Sequence, residues 1–290
     1  MDDLTLPTFL VIGAPKSGTS TLHSLLSQLP DVYMSEPKEI QYFSHPEHPD
    51  FPLRWYAEFF AAGAGRRHRA ESSPTYAMFP AIRDVPRRIH AMNPNIKLIY
   101  LVRDPVDRMV SAYAQSRHLG FETAPLSEAI MHMAHVGPSM YWLQVSEYLR
   151  WFDPAQIHVE FLDDLGTDPQ QVLERIGAFL DVDVPAIDAS HRLNTRETLR
   201  ATRPWYARVM KFLRPRGLVR NRWQWRVHRS RIASRPLRPE DHALDPHLAG
   251  ELRRLFAIDL RELAEFLDRP LPPWSHAYGL KTPQRTSARP

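Results

Sequence analysis

The sequence predicts an α/β fold, a central parallel sheet flanked by helices in three layers, on three observations. Two short apolar runs, Thr8–Gly13 and Lys97–Val102, each end in a turn, the pattern of strands covered on both faces. Each is followed by a helix signal: Leu22, Leu25, Leu26 and Leu29 at helical spacing after the first, and Asp104-Pro105 after the second. Further β-type runs then alternate with helical stretches, which indicates parallel strands joined by crossover helices.

Taken in order, Thr8–Gly13 opens the sheet and leads through a polar turn into the first helix. Asp31–Ser35 and a stretch around Arg69–Glu71 read as weaker strands, with a helix over Arg54–Ala62 between them. Lys97–Val102 (KLIYLV) is the clearest strand. Asp104 can cap the helix after it, since a carboxylate accepts from the orphan amides of a first turn. Pro105 suits the first helical position because it has no amide hydrogen to leave unpaired. That helix is expected to reach Tyr113 or beyond. Ser139–Trp151 and Pro169–Leu180 read as helices on either side of a third weaker strand at Ile157–Phe161 (IHVEF). Leu248, Leu252, Leu255, Phe256, Leu263 and Leu267 follow a helical period that would pack one face. One principal domain over residues 1–281 suits the length, with a disordered tail at 282–290 and no repeat at a solenoid period.

Composition narrows the function. With 43% hydrophobic residues the chain can bury a large core, and with no cysteine it has no disulfide, thiolate metal site or cysteine nucleophile. The run Phe9–Ile12 near the start falls far short of the roughly 18 apolar residues of a membrane span, so a soluble, cytoplasmic protein is the expectation. The net charge of +4 is unevenly spread. Between Arg196 and Arg238 stand 14 of the 37 Lys and Arg against one acid, Glu197, so the rest of the chain is net acidic. Such a block favours an anionic partner: nucleotide, acidic glycan, lipid head group or nucleic acid.

The first strand opens into Gly13-Ala14-Pro15-Lys16-Ser17-Gly18-Thr19-Ser20-Thr21. Small residues at a strand-to-helix turn let backbone amides approach a phosphate, and the helix N-terminus adds donors and partial positive charge. This makes Pro15, Lys16, Ser17, Gly18, Thr19, Ser20 and Thr21 candidate anion-binding residues in a P-loop-like fold. The triphosphate version of the loop places Lys directly after its second Gly and before a Ser or Thr that reaches magnesium. Here Lys16 precedes Gly18, so an ammonium is available further forward, and no metal is expected.

Ala14-Pro15-Lys16-Ser17-Gly18-Thr19 resembles the 5′-phosphosulfate loop of sulfotransferases that use 3′-phosphoadenosine 5′-phosphosulfate (PAPS). The likeness is to the heparan sulfate (N-/O-) branch and its bacterial relatives. The resemblance implies that Arg103, at the end of Tyr100-Leu101-Val102-Arg103, and Ser111, eight residues on, hold the cofactor's 3′-phosphate. Arg offers a planar fork of donors suited to that group. In Ser35-Glu36-Pro37-Lys38-Glu39-Ile40-Gln41-Tyr42-Phe43 it places Glu39 on the general base and Lys16 at the departing phosphate. Read as an ordinary surface acid, Glu39 would instead pair with Lys38 or Lys16. Were Glu39 not the base, His23, His45 and His191 are the alternatives. Glu71-Ser72-Ser73-Pro74-Thr75-Tyr76 is similar to another family stretch, with Ser72 where many glycan enzymes carry Lys. His191-Arg192-Leu193-Asn194-Thr195-Arg196, followed by Arg200 and Arg203, falls where the family closes a basic loop over the 3′-phosphate, which adds Asn194, Arg196 and Arg200 to the cofactor contacts.

The resemblance covers roughly Thr8 to Arg203. Beyond it, Trp205, Tyr206, Phe212, Trp223 and Trp225 are interleaved with arginines, a mixture that suits glycan stacking, a membrane surface or single-stranded nucleic acid. A basic, aromatic lid or insert over 196–238 is the expectation. The implied reaction is sulfuryl transfer from PAPS to a hydroxyl or amine of a carbohydrate, lipid or other small-molecule acceptor, with peripheral membrane or acidic-polymer contact through 196–238 and no specific nucleic acid. The competing readings are a P-loop nucleotide kinase and a non-catalytic anion-binding protein.

Overall fold

The computed structural model describes residues 4–45, 51–119, 121–122, 124–188, 200–202, 234–236 and 243–280, with backbone alone at 200–202 and 234–236. His191, Asn194, Arg196, Arg203, the aromatic–arginine stretch from Trp205 to Trp225 and the 282–290 tail lie outside the described residues.

Five parallel strands form one sheet: β1 (Phe9–Gly13), β2 (Val32–Met34), β3 (His68–Ser72), β4 (Lys97–Val102) and β5 (Ile157–Phe161), in the order β2-β3-β1-β4-β5. The register pairs Leu10 with Glu71 on one side and Leu98 on the other, and Tyr100 with Val159. The strands alternate between two cores, as a sheet covered on both faces must. Phe9, Val11, Ile99 and Leu101 face a core with Leu22, Leu25 and Leu26 of α1 (Thr19–Leu26) and Val172, Leu173 and Ile176 of α9 (Pro169–Leu180). Leu10, Ile12, Leu98, Tyr100 and Val102 face the other core. It takes in α2 (Leu53–Glu58), α3 (Val85–Met92), α4 (Pro105–Leu119), α7 (Tyr141–Leu149) and α10 (Pro246–Leu267). Two four-residue helices, α5 (Leu126–Ala129) and α6 (Met133–Val136), follow α4, and α8 (Leu162–Thr167) follows β5 directly. No helix of the described residues is long and apolar enough to cross a membrane.

Most expected elements are present, β4, β5 and α9 with the expected bounds. The helix expected over Arg54–Ala62 stops at Glu58, and the chain continues into a 3₁₀ turn at Ala61–Gly63. The reason is tertiary: Gly63 packs so closely under Tyr33 of β2 that an added Cβ would meet the ring at 2.5 Å. Within the basic segment, β6 (Arg200–Thr202) pairs antiparallel with β7 (Ser234–Pro236), and β6 lies against α4.

One buried charge makes an acid-stability prediction. The Glu160 side chain on β5 has no exposed surface, and burial alone would push its carboxyl up. Hydrogen bonds from Arg175 Nε and Nη at 2.9 and 2.8 Å, from His158 at 2.8 Å, and the charge of Arg269 outweigh burial and hold it at about 2. A folded-state value below the unfolded one contributes stability that is present above the unfolded value and lost as pH falls toward about 2. Glu160→Gln is therefore expected to lower stability at neutral pH by roughly 2 to 3 kcal/mol and to flatten the acid limb. Thermal melts across that pH range check this.

Candidate active site

Adjacent strands β1 and β4 send their following helices to opposite faces of the sheet: α1 packs in one core and α4 in the other. That reversal opens a crevice at the carboxyl ends of the two strands, where α/β sheets bind ligands. The 13–21 loop and Arg103 both sit there.

The loop is held by backbone hydrogen bonds, one to β4 and one within itself. The Ala14 amide donates to the Leu101 carbonyl at 2.7 Å and the Ser17 amide to the Ala14 carbonyl at 3.1 Å. Gly13 leaves no room for a side chain, since a Cβ would meet Ala77 at 2.8 Å and the Tyr100 ring at 2.9 Å. Gly18 caps α1 with φ +89, a left-handed conformation open to glycine without steric cost. Lys16 also adopts a left-handed conformation (φ 70), which costs a non-glycine residue of order 1 kcal/mol or more and marks functional turns. Pro15 and Lys16 are half-buried. Ser17 is fully buried, and its hydroxyl has no hydrogen-bond partner among the described residues. Thr19 is buried, and Ser20 and Thr21 are half-buried on the first turn of α1. The orphan amides of that turn, its partial positive charge, the idle Ser17 hydroxyl and the Lys16 ammonium form a donor set suited to a phosphate or sulfate ester.

Glu39 reaches this cradle through its neighbour. Lys38 Nζ lies 2.7 Å from Glu39 Oε1 and donates to Thr19 Oγ1 at 3.3 Å, so one ammonium joins the carboxylate to the first residue of α1. Gln41 Nε2 donates to the other Glu39 oxygen at 3.3 Å. The surface pairing with Lys38 is thus present, and it places the carboxylate at the mouth of the loop, with 40% of its side chain exposed to solvent.

The backbone carrying Glu39 is fixed by a buried carboxylate. Glu71, fully buried, accepts from the Ile40 amide (3.0 Å), Tyr56 (2.7 Å), Tyr76 (2.5 Å) and the Ser73 hydroxyl. The Gln41 amide donates to Ser73 Oγ at 2.9 Å and the Ser72 amide to the Lys38 carbonyl at 2.9 Å. Burial pushes the Glu71 carboxyl up while these hydrogen bonds pull it back. His23, one turn into α1, places Nδ1 3.0 Å from Ser72 Oγ. Burial, then the Lys38 charge, hold it down to about 4, so it is neutral at neutral pH.

Arg103 bridges the two loops. It donates to the Lys16 carbonyl at 3.4 Å and to Asp107 at 2.9 Å, and its buried Nε has no partner among the described residues. Asp104 caps α4 through the Asp107 amide at 2.8 Å. Ser111 is buried two turns into the same helix, and the backbone of Arg200 lies on β6 against it. The structure therefore brings Lys16, Ser17, Gly18, Thr19, Glu39 and Arg103 to one crevice. The linking role of Lys38 and the anchoring role of Glu71 were missed from sequence, whereas His23, named as an alternative base, does lie beside this segment. Only the adjacency of Lys38 to Glu39 offered a signal for the first.

A family model described as the sulfotransferase domain matches residues 6–218, and the chain belongs to the sulfotransferase family. Among curated relatives, human heparan sulfate glucosamine 3-O-sulfotransferase 5 is 29% identical over 190 residues, covering 61% of this chain and 54% of the relative. Human bifunctional heparan sulfate N-deacetylase/N-sulfotransferase 2 is 29% identical over 199 residues, covering 61% of this chain and 22% of that protein. The chain thus spans about half the length of the first relative and about a fifth of the second. Among solved structures, a sulfotransferase from Alicyclobacillus acidocaldarius superposes with a TM-score of 0.64 at 25% identity, covering 92% of this chain and 98% of that one.

Proposed function

We propose that the chain moves a sulfuryl group from PAPS to a hydroxyl or amine of a carbohydrate, lipid or other small-molecule acceptor, and that a glycan is the acceptor class. The observation that carries the reading is the Glu39–Lys38–Thr19 link, which joins a carboxylate open to solvent to the helix end that would hold the donor's phosphate. Glu39 takes the acceptor's proton as its oxygen or nitrogen attacks sulfur. Lys16 and the first-turn amides of α1 stabilise the negative charge that builds on the departing phosphate. PAPS supplies an activated sulfuryl group; the chain supplies position and electrostatics. The likeness to heparan sulfate enzymes supports a glycan. The test is transfer of labelled sulfur from PAPS to a panel holding an incompletely sulfated heparan-type oligosaccharide, a phenol and a long-chain alcohol. Label on the oligosaccharide supports the reading. No label on any of them, with no donor consumed, contradicts it.

In this reading Arg103 and Ser111 hold the 3′-phosphate. Arg103→Ala is expected to weaken adenosine 3′,5′-bisphosphate about 10- to 100-fold, the worth of a charge-assisted hydrogen bond, and adenosine 5′-phosphate far less. Calorimetric titration of both nucleotides checks it. Equal losses would show that Arg103 only braces the Lys16 carbonyl.

A further inference from the structure

Arg108, on α4, is 1% exposed, and no carboxylate among the described residues offsets its charge. Its donors reach neutral oxygens: Nε to Ser139 Oγ at 2.5 Å, one Nη to the His135 carbonyl, the other to the Pro15 carbonyl at 3.4 Å. Ser139 in turn donates to the Pro105 carbonyl at 3.0 Å. The surroundings are polar but underused. The Tyr100 hydroxyl and His135 Nδ1 are buried without hydrogen-bond partners among the described residues. Burial presses the Arg108 guanidinium down; Tyr141 and Tyr100 oppose that, and the like charge of Arg103 adds to it. A guanidinium nonetheless stays protonated in proteins.

An enclosed charge without a counter-charge costs several kcal/mol. It persists only where something offsets that cost. Among the described residues, the functional element that Arg108 touches is the anion loop, through Pro15. Because a peptide unit is planar, fixing the Pro15 carbonyl also fixes the direction of the Lys16 N–H, on the opposite side of that peptide.

We propose that Arg108 is a stored counter-charge for the anion bound in the 13–21 loop, a positioning residue that acts through Pro15 and through its field without touching the ligand. The inference rests on the phosphosulfate reading of that loop. It makes the charge a liability in the free protein and an asset in the complex, since fixed charges act most strongly where water is excluded.

The test compares wild type, Arg108→Met and Arg108→Lys, by melting without ligand and by titration with adenosine 3′,5′-bisphosphate and adenosine 3′-phosphate. Arg108→Met is expected to melt at or above wild type when free. It should bind the bisphosphate about 10- to 100-fold more weakly, and the 3′-phosphate within about threefold of wild type. Arg108→Lys, which keeps the charge, should recover most of the bisphosphate affinity. A Met variant that fails to fold, equal losses for both nucleotides, or a Lys variant as weak as Met would each overturn the proposal. Wild type that binds neither nucleotide removes the phosphosulfate reading, and this inference with it. Wild-type binding with unchanged variants removes this inference alone.

Discussion

Glu39→Gln is expected to lower kcat by about 10² to 10⁴ while leaving adenosine 3′,5′-bisphosphate affinity nearly intact. A neutral hydroxyl or amine is a poor nucleophile, and Gln keeps the shape of Glu without the ability to take a proton. The change costs little in stability. The ion pair with Lys38 is 40% exposed on the Glu39 side, and pairs of that kind contribute about 1 kcal/mol or less. The backbone position survives because the Ile40 amide is held by Glu71 and the Gln41 amide by Ser73, neither of which involves the Glu39 side chain. His23 is poorly placed to substitute, since its ring engages Ser72 and the Ser35 backbone. Measuring kcat and the melting temperature of this variant separates base from surface acid. Full turnover would remove the base from Glu39.

Lys16→Ala is the second large effect, an expected loss of about 10² to 10³ in kcat, the range seen when one donor to a developing oxyanion is removed. Lys16 sits in a left-handed turn, and Ala carries the same Cβ, so the substitution leaves the backbone cost where it was. The melting temperature of the free protein should therefore hold while bisphosphate affinity also falls. Lys38 remains in Lys16→Ala, 3.3 Å from Thr19. Its presence is expected to leave residual activity, and a Lys16→Ala, Lys38→Met double variant should fall below either single one. Unchanged kcat in Lys16→Ala would contradict the assigned role.

How much of this was legible in the sequence follows from what is local. The strands at Lys97–Val102 and Ile157–Phe161 and the helix at Pro169–Leu180 were readable because each carries its own periodicity and stop signals. The cradle was readable because glycines and small residues mark the turn, and Asp104 was readable as a cap because capping is a three-residue event. α5 and α6 were not read, since four residues give no helical period. α3 was not read either, since only Val85 and Ile89 of it are buried. Within the site, adjacency in sequence signalled that Lys38 pairs with Glu39 but not its second contact. It links Glu39 to Thr19 only because the segment after β2 passes beside the start of α1, a contact across 19 residues. Glu71 has the same history. Its register opposite Leu10 carries it inward, where Tyr56, Tyr76 and the Ile40 amide converge from three separate segments. Arg108 carried no local signal of its burial, which depends on His135 and Ser139, reaching it from about 30 residues away.

The central claim is that the crevice between β1 and β4 is built for PAPS. The most direct measurement is the shift in melting temperature produced by adenosine 3′,5′-bisphosphate, set against that produced by ATP with magnesium. The account predicts a clear rise with the bisphosphate alone, undiminished by EDTA and growing with ligand concentration as binding to the folded state requires. A rise with ATP and magnesium but none with the bisphosphate would contradict it.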